Sequence, residues 1–318
     1  MEKTHVFIVI LNYKRWQDVT ECLESLFRQN YKEHSIIVLD NDSQNDSLAH
    51  LITWVKNYNK ISNFKYSQIH YNLYNAKDLE RLDIPESLPY LTFIQNPTNS
   101  GFASGNNVIL NYLQYSNKFI WLLNPDMVAD QNALSELVVF SKNQSFKTII
   151  GTVIKSYENP EKILLYGGAT IKWRSATIKP VEKVEEIKDL DYICGGSLFL
   201  HAKHLIDIGL LSEDYFLFWE ETDWCYNAKL KGYKMAVCLT AICYDKVSTS
   251  IGKGSFADFY YTLNGLKFVK KFKHQNVKSV LLFSFLRIGK RIVTGRFDQA
   301  NGAFRGLLAF LKVRNENK

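Results

Sequence analysis

The sequence predicts an α/β fold with a mostly parallel central sheet and a helical C-terminal region, on three observations. Short continuous apolar runs alternate with segments whose apolar residues recur at helical spacing, as expected when strands buried on both faces are joined by covering helices. The runs of the first half stop at clusters of Asn, Asp and Ser. Helical patterns return from Phe256 onward. With 318 residues, 46% hydrophobic and 14% aromatic, the chain can bury a full core as one large domain or as a domain with an appendage, which excludes disorder.

Taken in order, His5–Leu11 suits a central strand, and Val19, Leu23, Leu26 and Phe27 place an amphipathic helix against it. Ser35–Leu39 forms a second buried strand, followed by a helix over Leu48–Tyr58. Residues 60–90 are aromatic, polar and weakly periodic, which predicts an insertion or long loop. Leu91–Gln95 and Phe119–Leu123 supply two more strands, with a helix through Val108, Ile109 and Tyr112 between them and another over Ala133–Phe140. The second half is more mixed: hairpin-like segments lie around Ile163–Ile178, a strand over Tyr192–Leu200, and a helix from Glu220 that Lys229, Lys231 and Gly232 end. The expected division is residues 1–250, in two parts that meet near residue 130, then a basic helical region at 251–318 joined near Gly252–Ser255.

The net charge of +7 is uneven, because residues 251–318 hold 14 Lys or Arg against Asp258, Asp298 and Glu316. That tail could meet any polyanion. No nucleic-acid recognition motif accompanies the charge, so nucleic acid is not the expected partner. Basic residues beside Leu282, Phe283, Phe285, Leu286 and Ile288 suit an interfacial helix at an anionic membrane, and equally a helical subdomain with a solvated basic face. No run approaches the roughly 18 apolar residues of a transmembrane helix. The five scattered cysteines read as reduced thiols, and the N-terminus lacks the features of a signal peptide. Together these predict a cytoplasmic protein, with any membrane contact peripheral. His201 and His204 lack further ligands and read as structural.

Four clusters could carry chemistry. Asp40, Asn41, Asp42 and Ser43 offer the acceptors and donors that read a nucleobase edge or hold ribose hydroxyls, though the same residues favour plain turns. The segment Asn99-Ser100-Gly101-Phe102-Ala103-Ser104-Gly105-Asn106-Asn107 follows a strand and opens a helix, a place where phosphate binds, or simply a helix start. Asn124-Pro125-Asp126 puts a carboxylate at a strand end, suited to Mg²⁺ or Mn²⁺ on a diphosphate, or to a turn and cap. In Phe218-Trp219-Glu220-Glu221-Thr222-Asp223-Trp224, three carboxylates stand beside two tryptophans. Crowded carboxylates near apolar walls favour a proton acceptor, while the same charges also suit a helix N-terminus.

In their order and spacing these motifs resemble the family 2 glycosyltransferases, in particular the bacterial rhamnosyltransferase-like branch. The resemblance rests on Ile10-Leu11-Asn12-Tyr13, Val38–Ser43, Asn99–Asn106, Leu123–Asp126, Gly195-Gly196, and Glu220–Asp223 with Gly232-Tyr233, and covers roughly residues 5–250. It implies a GT-A fold, an inverting mechanism, a divalent metal and a UDP- or dTDP-sugar donor, with a role in bacterial surface polysaccharide assembly. Asn12, Tyr13, Asp40, Asn41, Asp42, Ser43, Asn99, Gly101, Phe102, Asn106, Asn124 and Asp126 would line the donor. Gly195, Gly196, Trp219 and Asp223 would face a saccharide or lipid-linked acceptor. Glu221 stands at the catalytic position, where the family has Asp, with Glu220 beside it. Asp126 would hold the metal, joined by Asp245 where the family has a His. Two other readings compete: a sugar nucleotidyltransferase, betrayed by pyrophosphate release, and a non-catalytic relative that keeps the fold as a nucleotide-binding or interaction module.

Overall fold

Strands whose every side chain is apolar must be covered on both faces, and the protein meets this with two cores on opposite sides of one sheet. The computed structural model describes residues 4–61, 69–81, 90–246 and 254–316. The chain begins β1 (Val6–Asn12), α1 (Trp16–Phe27), β2 (His34–Asn41) and α2 (Ser47–Ile61). Then come β3 (Tyr71–Asn75), β4 (Leu91–Asn96), α3 (Gly101–Leu113), β5 (Phe119–Leu123), β6 (Met127–Ala129) and α4 (Ala133–Lys142). In β1, Val6, Ile8 and Ile10 pack with Leu23 and Leu26 of α1 and with α4, whereas Phe7 and Val9 pack with Ile109, Leu110 and Leu113 of α3 on the other face. Each such side chain contributes about 1.5–3 kcal/mol by leaving water.

The second half adds β7 (Thr148–Ser156), β8 (Ile163–Tyr166), β9 (Gly168–Lys172), β10 (Thr177–Pro180), β11 (Tyr192–Ile193), β12 (Ser197–His201), α5 (His204–Ile208), α6 (Glu220–Leu230) and β13 (Lys234–Asp245). The main sheet runs β3-β4-β2-β1-β5-β12-β7-β13-β6, with β8 on β7, and a small sheet runs β10-β9-β11. From β3 to β5 every pairing is parallel. β12 is antiparallel to both of its neighbours. The chain leaves β1 toward β2 on one side and returns to β5 on the other, so the sheet has a topological switch at β1. Ligands of open α/β sheets bind beyond the carboxyl ends of strands at such a point. Asn12, Asp40 and Asn124 stand there.

Three expectations need correction. Residues 60–90 are not wholly an insertion: Tyr71–Asn75 is an edge strand in register with Leu91–Gln95, while 62–68 and 82–89 lie outside the described residues. Its half-exposed side chains leave no apolar run to read. Tyr192–Leu200 is two strands in different sheets, broken at Cys194–Gly196. The hairpin over 163–178 is likewise divided, with β8 joining the main sheet and β9–β10 the small one.

Helices α7 (Ser255–Phe272), α8 (Val277–Val293) and α9 (Phe297–Glu316) complete the chain. The junction expected at Gly252–Ser255 falls partly outside the described residues. α7 contributes Leu266, Phe268 and Val269 to the main core alongside Trp219. No helix among the described residues is long and apolar enough to cross a membrane.

Candidate active site

The loops after β1 and β2 are tied together by Asp40. Its carboxylate accepts from Asn12 Nδ2 (2.6 Å), Ser43 Oγ (2.5 Å) and the Ser43 amide (3.2 Å). Ser43 Oγ in turn takes the Lys14 amide, and Asn12 Oδ1 takes the Arg15 amide. Asn41 bridges to the next loop, accepting from Asn96 and donating to Asn99 Oδ1 (3.0 Å) and the Gly101 carbonyl. Asn12, Asp40, Asn41 and Ser43 are thus buried scaffold. Tyr13, 41% exposed, and Asp42, whose carboxylate meets only the exposed Gln44 side chain by hydrogen bond among the described residues, present themselves outward.

The glycine-bearing segment before α3 serves packing. Gly101 adopts φ +91°, and a Cβ there would lie 2.4 Å from the Phe216 carbonyl oxygen. The Phe102 amide donates to that same carbonyl. Asn106 donates to the Phe102 carbonyl within its own helix, and Asn99 Oδ1 receives the Gly101 amide. This loop joins the donor side to the segment that precedes α6.

Asp126 follows β5, and Asp245 ends β13, where it pairs across from Met127. Burial and the neighbouring Asp245 carboxylate push Asp126 up from 3.8 to about 6. A buried carboxylate whose charge a neighbouring carboxylate opposes fits a divalent cation completed by diphosphate oxygens. Among the described residues no group of three or more His, Cys, Asp or Glu could hold a metal, so a cation here would need phosphate oxygens for much of its shell. Sequence reasoning missed the residues around this pair: Arg15 bonds Asp18 (2.6 Å), and Lys246 reaches Asp18 (3.4 Å) and Glu21 (2.6 Å). Only the position of Lys246 next to Asp245 could have signalled them.

Glu220 and Glu221 open α6. The two residues before them, Phe218 and Trp219, both take left-handed backbone conformations (φ 64° and 77°). For bulky residues this costs on the order of 1–3 kcal/mol each and is found where function fixes geometry. The backbone N–H groups of Gly195, Glu221 and Thr222 bond the Glu221 carboxylate, while burial raises its pKa. Burial and the Glu221 charge push Glu220 well above the usual carboxylate range. Among the described residues Oε2 of each has no hydrogen-bond partner. Both carboxyls are thus held above the ordinary carboxylate range, and for Glu220 the Glu221 charge adds to burial.

Gly195 and Gly196 lie between the two carboxylate groups. A Cβ on Gly195 would meet Glu221 Cγ at 3.4 Å, and one on Gly196 would meet Met127 Cε at 2.6 Å and Asn124 Nδ2 at 3.8 Å. The Asn124 amide donates to the Gly196 carbonyl. The Cys194 thiol just before this turn is pushed up to about 12, by burial first and then by the charges of Glu221, Asp245 and Asp126. All three carboxylates therefore lie within electrostatic reach of Cys194.

Trp219 and Asp223, expected on the acceptor side, are corrected. Trp219 is buried, and its indole donates to the Tyr261 carbonyl of α7 (3.1 Å). Asp223 accepts from Tyr215 Oη (2.8 Å) and from Lys271 Nζ of α7 (2.7 and 2.8 Å). Both hold α6 to α7 instead of facing a ligand. His204 Nε2 donates to the Phe146 carbonyl (2.7 Å), and its ring meets Tyr233 edge-on, a structural place.

Comparison with known proteins places this fold among glycosyltransferases. The Glycosyl transferase family 2 profile matches residues 7–77, from β1 through the turn after β3. The low-salt glycan biosynthesis hexosyltransferase Agl10 of Haloferax volcanii is 21% identical over 235 residues, 73% of this chain and 64% of that protein. The alignment therefore spans a little under two thirds of that relative. Among solved structures, the mannosyltransferase PcManGT of Pyrobaculum calidifontis, in complex with GDP-Man and Mn²⁺, superposes over 98% of this chain and 88% of its own (TM-score 0.54, 11% identity). S. aureus TarS 1–349 superposes over 88% and 72% (TM-score 0.52, 15% identity), and its UDP-GlcNAc complex over 88% and 71% (TM-score 0.51, 14% identity). Residues 7–77 thus carry a likeness to glycosyl transferase family 2, and the chain has the GT-A fold of these structures.

Proposed function

We propose that the chain transfers a sugar from a nucleotide diphosphate donor to an acceptor hydroxyl with inversion, using Glu221 as the base. The observation that carries this reading is that Glu221 packs against Gly195 while Asp126, Asp245 and Glu221 all act on the thiol of the adjoining Cys194, beside the carboxyl end of β5. Tyr13 and Asp42 line the nucleotide, on loops whose shape Asp40, Asn12, Ser43 and Asn41 fix. Asp126 and Asp245 would hold Mg²⁺ or Mn²⁺, which would supply positive charge against the departing diphosphate. Glu221 takes the acceptor proton as the acceptor oxygen bonds the anomeric carbon. The bond from that carbon to the diphosphate oxygen breaks, and the electron pair leaves with the nucleotide diphosphate. Attack from the face opposite the leaving group gives inversion, and a diphosphate leaves without a general acid. Neutral Glu220 spares Glu221 a second negative charge.

Complexes of the structural relatives with GDP-Man and UDP-GlcNAc support a UDP-, dTDP- or GDP-sugar donor, and the hexosyltransferase relative supports a saccharide or lipid-linked saccharide acceptor in surface glycan assembly. Donor turnover tests the base. Glu221→Gln is expected to lose about 10²–10⁴-fold in turnover of the donor that wild type uses, with donor affinity retained. Glu220→Gln, which copies the protonated neighbour, is expected to stay within about fivefold of wild type. Equal losses in the two variants would remove Glu221 from the base role.

A further inference from the structure

Helix α8 is apolar on two opposite faces. Val277, Val280, Ser284 and Ile288 are buried against the fold. On the reverse face, Leu282, Phe285, Leu286 and Val293 are 59%, 53%, 59% and 87% exposed. Their spacing puts all four on one stripe of the helix, with Gly289 in its middle and Phe283 and Ile292 at its edges. Soluble surfaces seldom line up so many large apolar groups without a partner. Exposed Lys278, Lys290 and Arg296 flank the stripe, and none has an ion pair with an acidic residue among the described residues. The inward cations are already engaged, Arg291 by Asp258 and Arg287 over the Tyr261 ring. The nearby Asp298 carboxylate is turned to the Ser255 amide of α7.

We propose that this outer face of α8 docks on an anionic lipid bilayer, with Leu282, Phe285, Leu286 and Val293 entering the headgroup–acyl boundary and Lys278, Lys290 and Arg296 meeting the headgroup charge. The rim decides the occupant. A second copy would set an identical basic rim against this one, in a region holding 14 Lys or Arg against three acidic residues, and like charges across an interface oppose association. An anionic bilayer supplies both an apolar interior and a negative surface. Since no described helix can span the membrane, the contact lies in the interface plane. This surface is separate from the carboxylate cluster and does not depend on the transferase reading.

Flotation of the full chain with vesicles, without donor or acceptor, tests the proposal. Wild type is expected to partition onto phosphatidylglycerol vesicles and not onto phosphatidylcholine vesicles, with binding falling as salt rises. Leu286→Ser with Val293→Ser is expected to weaken partitioning by at least about tenfold, and Lys278→Glu with Lys290→Glu by a similar factor. All four positions are exposed, so both variants should unfold at the wild-type temperature. Failure of wild type to bind phosphatidylglycerol vesicles at low salt would overturn the proposal, as would binding that ignores both variants. So would a lipid-free dimer that the Leu286→Ser, Val293→Ser variant converts to monomer, because a second copy would then cover the face.

Discussion

Asp126 shows how a single residue trades stability for chemistry. Its carboxyl titrates near pH 6 in the folded chain, because burial and then Asp245 oppose its charge. When the chain unfolds it returns to an ordinary carboxylate. Between those two values the folded state binds the extra proton, so stability falls as pH rises through the window from about 4 to about 6. Asp126→Asn removes the charge and should stabilise the metal-free protein by up to about 3 kcal/mol at pH 8, with the gain vanishing near pH 4. Denaturant melts of both proteins at the two pH values check this. A variant less stable than wild type at pH 8 would mean that Asp126 is satisfied without a cation. The Glu220–Glu221 pair holds strain of the same kind, in two crowded carboxyls and two left-handed residues just before them.

At the scale of elements, α7 is the clamp that keeps that strained segment in place. Asn264 donates to the carbonyls of Leu217 (2.8 Å) and Phe218 (3.3 Å), Tyr261 receives the Trp219 indole, and Lys271 pairs with Asp223. Asn264→Ala is expected to lower kcat between about tenfold and a hundredfold while leaving the donor KM unchanged, since a shift of about 1 Å in a base is costly. A steady-state comparison over pH checks it: a purely structural Asn264 would lower the folded fraction and leave KM, kcat per folded molecule and the pH profile untouched. None of these contacts is visible in sequence. Asp223 and Lys271 are far apart along the chain, and two tryptophans beside carboxylates read as the walls of a pocket, although Trp219 and Trp224 are buried and donate their indoles to the backbone at Tyr261 and Gly209.

The strands were legible in proportion to their apolar continuity. β1, β2, β4 and β5 are buried from end to end or nearly so, and each stands out as a run. β7 escaped because Gly151 breaks its pattern, and that glycine is needed where Gly167 passes, 2.8 Å from where a Cβ would sit. β13 escaped because its register slips between Cys238 and Ile242, leaving Leu239 exposed and the alternation lost. In the site, Asp126, Glu220 and Glu221 were readable from local clusters. The loop residues Asp40 and Asn41 were readable as a polar cluster too, but sequence could not tell scaffold from ligand contact, because that depends on which partners the fold brings to each oxygen.

For the molecule as a whole, the parallel half of the sheet and the mixed half meet at the β5–β12 pairing, where Ser197 lies opposite Leu123 and the Trp121 indole donates to Ser197 Oγ (2.9 Å). The loops after β1 and β2 sit on one side of that seam and Glu221 on the other, so one rigid sheet would set the spacing between the proposed donor and the proposed base. The basic region belongs to the same body: α7 closes over the segment before Glu220, and α8 and α9 pack behind it. The claim on which the account rests is that the converging carboxylates form a metal-assisted nucleotide diphosphate sugar site. Calorimetric titration of wild type and Asp126→Asn with UDP-, dTDP- and GDP-sugars, with and without Mn²⁺, measures it directly. The account predicts binding of one donor class that requires Mn²⁺, weakens as pH falls below about 6, and is lost in Asp126→Asn; no binding of any nucleotide sugar, or binding equal in the two proteins and indifferent to Mn²⁺, would contradict it.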